Sequence, residues 1–172
     1  MADSSGMTGT GGSRPDLLGI YLNDHLAGAT AGVDLLRRSA GALRGSPTGD
    51  TLERLVAEVA EDRAALEDMM SALGVPVRRY KIYAAWAAEK VGRLKLNGHL
   101  LARSPLSNVI ELEAMRLGVE GKVAGWLTLR TVADRDGRLD ASRLDDLIAR
   151  ARRQADTLEE LRLRAVTEVV GG

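Results

Sequence analysis

Cysteine and phenylalanine are both absent from this chain of 172 residues, and aromatic residues make up only 3% of it. Without cysteine the chain can form neither a disulfide nor a thiolate metal site, and it has no cysteine nucleophile. The core must therefore be built from Leu, Val, Ala and Met. Such a core suits closely packed helices better than a β-sandwich, which favours aromatic and β-branched residues.

A net charge of one sign and a long apolar run are also missing. The 24 basic residues balance the 24 acidic ones, and no run of about 18 apolar residues could span a bilayer. Residues 1–13 are rich in Gly, Ser and Thr, without the positive start and apolar stretch of a secretory signal. We predict a disordered tail over residues 1–14 and a cytoplasmic protein. The excess of Arg over Lys, with abundant Ala and Gly, indicates a bacterial source.

Four segments repeat apolar residues in steps of three and four, which predicts an all-α chain with one four-helix domain over residues 15–170. The first helix is predicted from Pro15–Asp16 to Leu43, and the second from an N-cap at Asp50 to Leu73. The third follows Pro105 with Asn108 as a possible cap, and the fourth begins at a Ser142 cap. In the second helix Asp62 falls within the apolar stripe. Five glycines of the first and third helices are predicted to let these helices approach closely: Gly28, Gly32, Gly118, Gly121 and Gly125.

The long connection between the second and third helices, residues 74–107, is basic and aromatic. It includes a predicted helix over residues 81–96, and its charge between Pro76 and Leu106 is +6. We favour packing of this segment on the bundle, with Trp86 as the anchor. Binding of an acidic protein partner, or self-association, is the alternative, and its candidate residues are Arg78, Arg79, Lys81, Tyr83 and Trp86. Clustered Arg also attracts nucleic acid or anionic lipid, but the acidic second helix offers a nearer counter-charge.

The order of these elements, with short links inside two helix pairs and a long link between the pairs, resembles the ferritin-like superfamily. That resemblance implies a di-iron centre held by a Glu on two helices and Glu-x-x-His on the other two. The chain departs from this pattern because its two histidines are His25 and His99, and the residues three positions earlier are Leu22 and Leu96. We therefore predict no di-iron cofactor, and neither ferroxidase nor oxygenase activity is carried over.

Carboxylates near the middle of the predicted helices leave a second interpretation open. A buried acid must be paired or protonated, so we favour a core histidine at His25 and a pairing of Asp62 with an arginine or with His25. The alternative is a divergent metal-binding protein with ligands among Asp24, His25, Glu58, Asp62, Glu113 and Glu120.

Other motifs give no catalytic prediction. Residues 134–140 resemble a calcium loop, but Val132 and Arg143 stand where the first and last carboxylates would be needed, so we interpret the segment as a turn. No nucleotide-binding or nucleophile motif is present. We predict a non-enzymatic helical bundle that serves interaction or assembly, as a homo-oligomer and most simply a homodimer.

Overall fold

A computed structural model of the protein describes residues 16–78 and 105–171, and within these ranges it contains four helices and no strand. The helices are α1 (Leu17–Ala42), α2 (Pro47–Ala72), α3 (Pro105–Ala133) and α4 (Ala141–Val170). Within these ranges the prediction of an all-α fold with four long helices is confirmed. The predicted helix over 81–96 and the predicted N-terminal tail lie outside the described residues.

Three helix starts differ from the predicted ones, each by a few residues. Helix α2 begins at Pro47, because the Ser46 side chain caps it by accepting a hydrogen bond from the Gly49 amide at 3.1 Å. Serine at the cap followed by proline at the first position is a favoured helix start. In α4 the cap is Asp140 and not Ser142, and in α3 Asn108 lies inside the helix.

Neighbouring helices in the bundle are all antiparallel. The two hairpins, α1 with α2 and α3 with α4, pack side by side through contacts of α1 with α3 and of α2 with α4. Contacts of Tyr21 with Thr128 and of Ser39 with Glu111 fix the opposite directions of α1 and α3. Helices α2 and α3 are therefore parallel and diagonally opposed. The chain leaves α2 at one end of the bundle and enters α3 at the other, about 40 Å away at 1.5 Å per helical residue.

The core is aliphatic, as the lack of phenylalanine requires, with Trp126 as its one buried indole among the described residues. The predicted stripe of α2 is buried at Leu52, Leu55, Val59, Leu66 and Met69. Four buried polar residues interrupt this core: Asn23, Ser39, Asp62 and Gln154. None of the described helices has the length and apolar character needed to cross a bilayer.

The exit from α2 is fixed by Asn23 of α1. Gly74, at φ +72°, ends the helix, in the left-handed conformation that glycine adopts readily. The Asn23 amide nitrogen then donates to the Pro76 carbonyl at 3.1 Å, and its oxygen accepts from the Arg78 amide at 2.7 Å. The chain that leaves α2 is thereby held against the N-terminal part of α1.

The glycines of α1 and α3 do not all serve close packing, so that prediction is wrong for four of the five. A Cβ added at Gly28, Gly32, Gly118 or Gly121 would meet no described atom within 4 Å. At Gly125 it would lie 2.7 Å from Cδ2 of His25. Only Gly125 is therefore needed for contact between these helices.

Candidate functional site

The strongest concentration of buried polar groups surrounds Asp62. Helix α2 directs this carboxylate into the bundle because Asp62 continues the stripe that buries Val59 and Leu66. Only 1% of the surface of Asp62 is exposed to solvent. A carboxylate in such a position requires partners, since burial of an unpaired charge is very costly.

Partners come from the two helices of the opposite hairpin. The ammonium nitrogen of Lys122 in α3 lies 2.5 Å from Oδ2 of Asp62, and the Arg150 guanidinium of α4 donates to Oδ1. Arg150 also donates to Glu61 at 3.0 Å. We call this group the ionic cluster, and it comprises Glu58, Glu61, Asp62, Lys122, Arg150 and Gln154.

Gln154 is the polar bridge of the ionic cluster. Its side-chain oxygen accepts a hydrogen bond from the Lys122 ammonium. Its amide nitrogen donates to Glu58 at 2.8 Å, with a longer contact of 3.3 Å to Oδ2 of Asp62. Gln154 is 1% exposed, so its amide is satisfied almost entirely by other members of the cluster.

Two opposing effects act on the Lys122 ammonium. Burial lowers the pKa of Lys122 from its ordinary value of 10.5, and this is the largest influence, while the charge and hydrogen bond of Asp62 act in the opposite direction. Lys122 and Arg150 face three carboxylates, which leaves the cluster close to charge balance. Removing a single charged member would therefore leave a buried charge without its partner, which destabilises the folded state.

Of the six sequence-predicted metal candidates, the structure brings together Glu58 and Asp62. Asp24, Glu113 and Glu120 are exposed, and the Arg116 guanidinium lies 3.6 Å from Glu120. His25 is half-buried, and its ring nitrogen lies near the Tyr21 carbonyl oxygen and not near Asp62. In the described part of the chain no three His, Asp or Glu side chains form a group that could hold a metal ion.

His25 belongs to the contact between α1 and α3. Its Nδ1 lies 3.0 Å from the Tyr21 carbonyl oxygen, and its ring centroid is 4.1 Å from that of Tyr21. Gly125 provides the space for the ring. The partners of Asp62 are thus a lysine and an arginine and not His25; of the two pairings expected, the one with an arginine is present.

The residues predicted for partner binding fall mostly outside the described ranges. Arg78 is exposed, and its backbone amide is held by Asn23. Arg79, Lys81, Tyr83 and Trp86 lie in the undescribed connection.

Lys122 and Gln154 were missed by the sequence analysis, although a pattern marks both. In α3, Lys122 lies three residues after Val119 and four before Trp126, so it occupies a position of the apolar stripe. In α4, Gln154 lies three residues beyond Ala151. Polar residues at stripe positions of three different helices indicate a shared buried cluster.

Comparison with protein-family models, with curated proteins and with solved structures finds no match for this chain.

Proposed function

We propose that this protein is a non-catalytic helical scaffold that acts by association, as a homodimer, with a layout like that of ferritin-like bundles. The observation that carries the non-catalytic part of the proposal is the pairing of the buried Asp62 carboxylate with Lys122 and Arg150. Both oxygens of Asp62 accept hydrogen bonds from cations, and Gln154 bridges Lys122 and Glu58. Within the described part of the chain, Nε of Arg150 is the one buried polar atom of the cluster without a hydrogen-bond partner. A buried carboxylate of one hairpin that is paired with two cations of the other stabilises one packing of the two hairpins.

The directions of the helices support the layout. Helices α2 and α3 run parallel and lie diagonally opposed, which requires a connection along the whole bundle. The same up-down-down-up order, with short links inside each hairpin, is the basis of the resemblance to ferritin-like bundles.

The donor set argues against a di-iron centre. An ion bound by Asp62 would have to displace Lys122 and Arg150, two cations already within hydrogen-bond distance of the carboxylate. Three of the other candidate carboxylates are on the outer surface, and His25 is directed at the Tyr21 carbonyl. In our proposal Lys122 and Arg150 supply the positive charge that a bound metal would otherwise provide.

Association is tested by multi-angle light scattering of the full chain over a dilution series. We expect a mass of two chains that falls towards one chain on dilution. A single-chain mass at every concentration, up to the solubility limit, would contradict the proposed dimer.

The non-metal core is tested by elemental analysis of protein purified without chelator. We expect no stoichiometric iron or manganese, in the native chain and in Asp62→Ala alike. Stoichiometric metal that is lost in Asp62→Ala but kept in Asp156→Ala, which changes an exposed carboxylate of α4 outside the candidate set, would establish the metal-binding alternative instead.

A further inference from the structure

An open depression of about 130 Å³ lies on the surface between α1 and α2. It would hold roughly four water molecules at about 30 Å³ each. It therefore suits a small molecule and not a drug-sized ligand, whose pockets begin at about 300 Å³. The residues that line it are Thr30, Val33, Asp34 and Arg37 of α1 with Ala60 and Arg63 of α2. We call these six residues the hairpin pocket.

Part of the hairpin pocket is apolar. Val33 is buried and belongs to the core, and Ala60 on the neighbouring helix is partly buried and packs against that core. Because the side chain of Ala60 is a single methyl group, it leaves room that a larger residue would occupy. A ligand in the hairpin pocket would therefore contact aliphatic carbon as well as charged groups.

Arg63 is the fixed cation of the hairpin pocket. Its Nε donates to Oγ1 of Thr30 at 2.9 Å across the helix pair, and its Nη2 donates to Glu67 at 2.9 Å. Thr30 is held in turn, because its hydroxyl donates to the Leu26 carbonyl at 2.9 Å. These bonds use two of the five N–H donors of the guanidinium. The donors that the described part of the chain leaves unused lie on Nη1 and Nη2, the edge that can bind a carboxylate through two parallel hydrogen bonds.

Asp34 and Arg37 of α1 bring one charge of each sign to the hairpin pocket. Oδ1 of Asp34 and Nη1 of Arg37 are 3.6 Å apart, which is too long for a hydrogen bond. Neither side chain forms a hydrogen bond to another described residue. The carboxylate of Asp34 is therefore available as an acceptor, and the guanidinium of Arg37 is available as a donor.

Charge balance indicates the kind of ligand. Arg37 and Arg63 carry two positive charges. Asp34 and Glu67, the ion-pair partners of these arginines, carry two negative ones, so this part of the surface has no net charge. A simple anion would be attracted by Arg63 and repelled by Asp34. A zwitterion avoids this conflict, since its negative group can meet Arg63 while its positive group meets Asp34.

We propose that the hairpin pocket binds a small aliphatic α-amino acid of about the size of alanine. Its carboxylate binds the unused edge of Arg63, and its ammonium group binds Asp34. Its side chain packs on Val33 and Ala60, while Arg37 adds a further donor for the carboxylate. Exposed ion pairs each contribute little, so we expect weak binding that saturates at millimolar concentrations. The proposal rests neither on dimer formation nor on the ionic cluster, so it can fail without affecting the proposed function.

NMR titration of the full chain with alanine tests the site. We expect saturable shifts of the backbone amides near Thr30 and Arg63. Arg63→Gln should weaken binding about tenfold, because it removes the charge that the carboxylate meets. Ala60→Leu should weaken it at least as much by filling the pocket. Arg54→Gln is the matched control, because Arg54 is an exposed arginine of α2 outside the pocket, and it should leave the affinity unchanged.

Propanoate distinguishes a zwitterion from a simple carboxylate. It lacks the ammonium group, so it should bind the native chain several-fold more weakly than alanine does, and Asp34→Asn should remove this difference. Circular dichroism establishes that each variant is folded, and the comparison in Asp34→Asn remains decisive if Ala60→Leu does not fold. No saturable shift with alanine, equal affinity of the native chain and folded Ala60→Leu, or propanoate binding as tight as that of alanine would each overturn the proposal.

Discussion

The Lys122 ammonium reaches the Asp62 carboxylate from the diagonally opposite helix, at 2.5 Å. This pair joins α3 to α2, while Arg150 joins α4 to the same carboxylate. The ionic cluster therefore connects the two hairpins through their shared core. Its chief consequence is that two cations of one hairpin depend on a single acid of the other.

Asp62→Asn should destabilise the bundle strongly. The substitution leaves Lys122 and Arg150 without their shared carboxylate in a largely buried position, and loss of one partner from a buried ion pair costs about 3 kcal/mol or more. Urea unfolding followed by circular dichroism measures this loss. Asp156→Asn, which neutralises an exposed acid of α4, is the control and should change stability by no more than about 0.5 kcal/mol. Equal effects of the two variants would contradict the role assigned to Asp62.

Replacing both members of the diagonal pair should cost less than the sum of the two separate replacements. Asp62→Leu with Lys122→Met removes carboxylate and ammonium together, so neither is left buried alone. We expect a coupling energy of about 1 kcal/mol or more from the double-mutant cycle of unfolding free energies. Additive losses within about 0.3 kcal/mol would show that the two side chains do not stabilise each other.

The helices could be predicted because the apolar residues that each helix buries recur in the sequence at steps of three and four. Asp62 could be placed in the core for the same reason, since it falls in step with Val59 and Leu66. The identity of its partners could not be derived from α2 alone. Lys122 and Gln154 meet Asp62 only through the relative registers of three helices, which depend on tertiary packing.

The helix caps and glycines illustrate another limit. Ser46 with Pro47 competes with Asp50 as the start of α2, and the sequence preference for either is only about 1 kcal/mol, so tertiary contacts can decide. The glycines of α1 and α3 suggested a close approach. Whether a missing side chain permits close contact between the helices depends on the helix separation, and the sequence pattern does not contain that distance.

Gly125→Ala should destabilise the contact between α1 and α3. The new methyl group would lie 2.7 Å from Cδ2 of His25, whose ring is held by Tyr21 on one side, and overpacking of this kind costs about 1–3 kcal/mol. In the background of His25→Ala the same substitution should become neutral or stabilising. Thermal unfolding of the four proteins in this cycle provides the measurement.

Gly121→Ala is the matched control for that experiment, because the added methyl group meets no described atom within 4 Å. We expect it to stabilise the chain by up to about 1 kcal/mol through helix propensity. A loss of stability at Gly121 as large as at Gly125 would mean that steric contact with His25 is not the cause.

The turn between α3 and α4 should contribute to stability in a pH-dependent way. Hydrogen bonds from Arg138 lower the pKa of Asp136 from 3.8 to about 2, and Arg138 also donates to the Leu73 carbonyl at the end of α2. Because the folded pKa is the lower one, this contribution is complete above pH 3.8 and is lost as the pH falls towards 2. Asp136→Asn should therefore flatten the dependence of unfolding free energy on pH in that interval.

Asp146→Asn, at an exposed position of α4, is the control, and its slope in that interval should stay closer to that of the native chain. Identical slopes for the two variants would contradict the role assigned to Asp136.

Asn23→Ala should release the chain at its exit from α2. Asn23 is buried, and its side chain satisfies the Pro76 carbonyl and the Arg78 amide at once. Loss of the amide leaves both backbone groups without this partner, which costs about 1–3 kcal/mol where they remain buried. Hydrogen exchange resolved by NMR should show faster exchange at Arg78, with little change at core amides such as that of Leu66.

Ser39→Ala is a suitable comparison, because it removes a hydrogen bond from Ser39 to Glu111 elsewhere in α1 and should leave exchange at Arg78 unaltered. Unchanged protection of Arg78 in Asn23→Ala would show that other contacts hold the exit from α2.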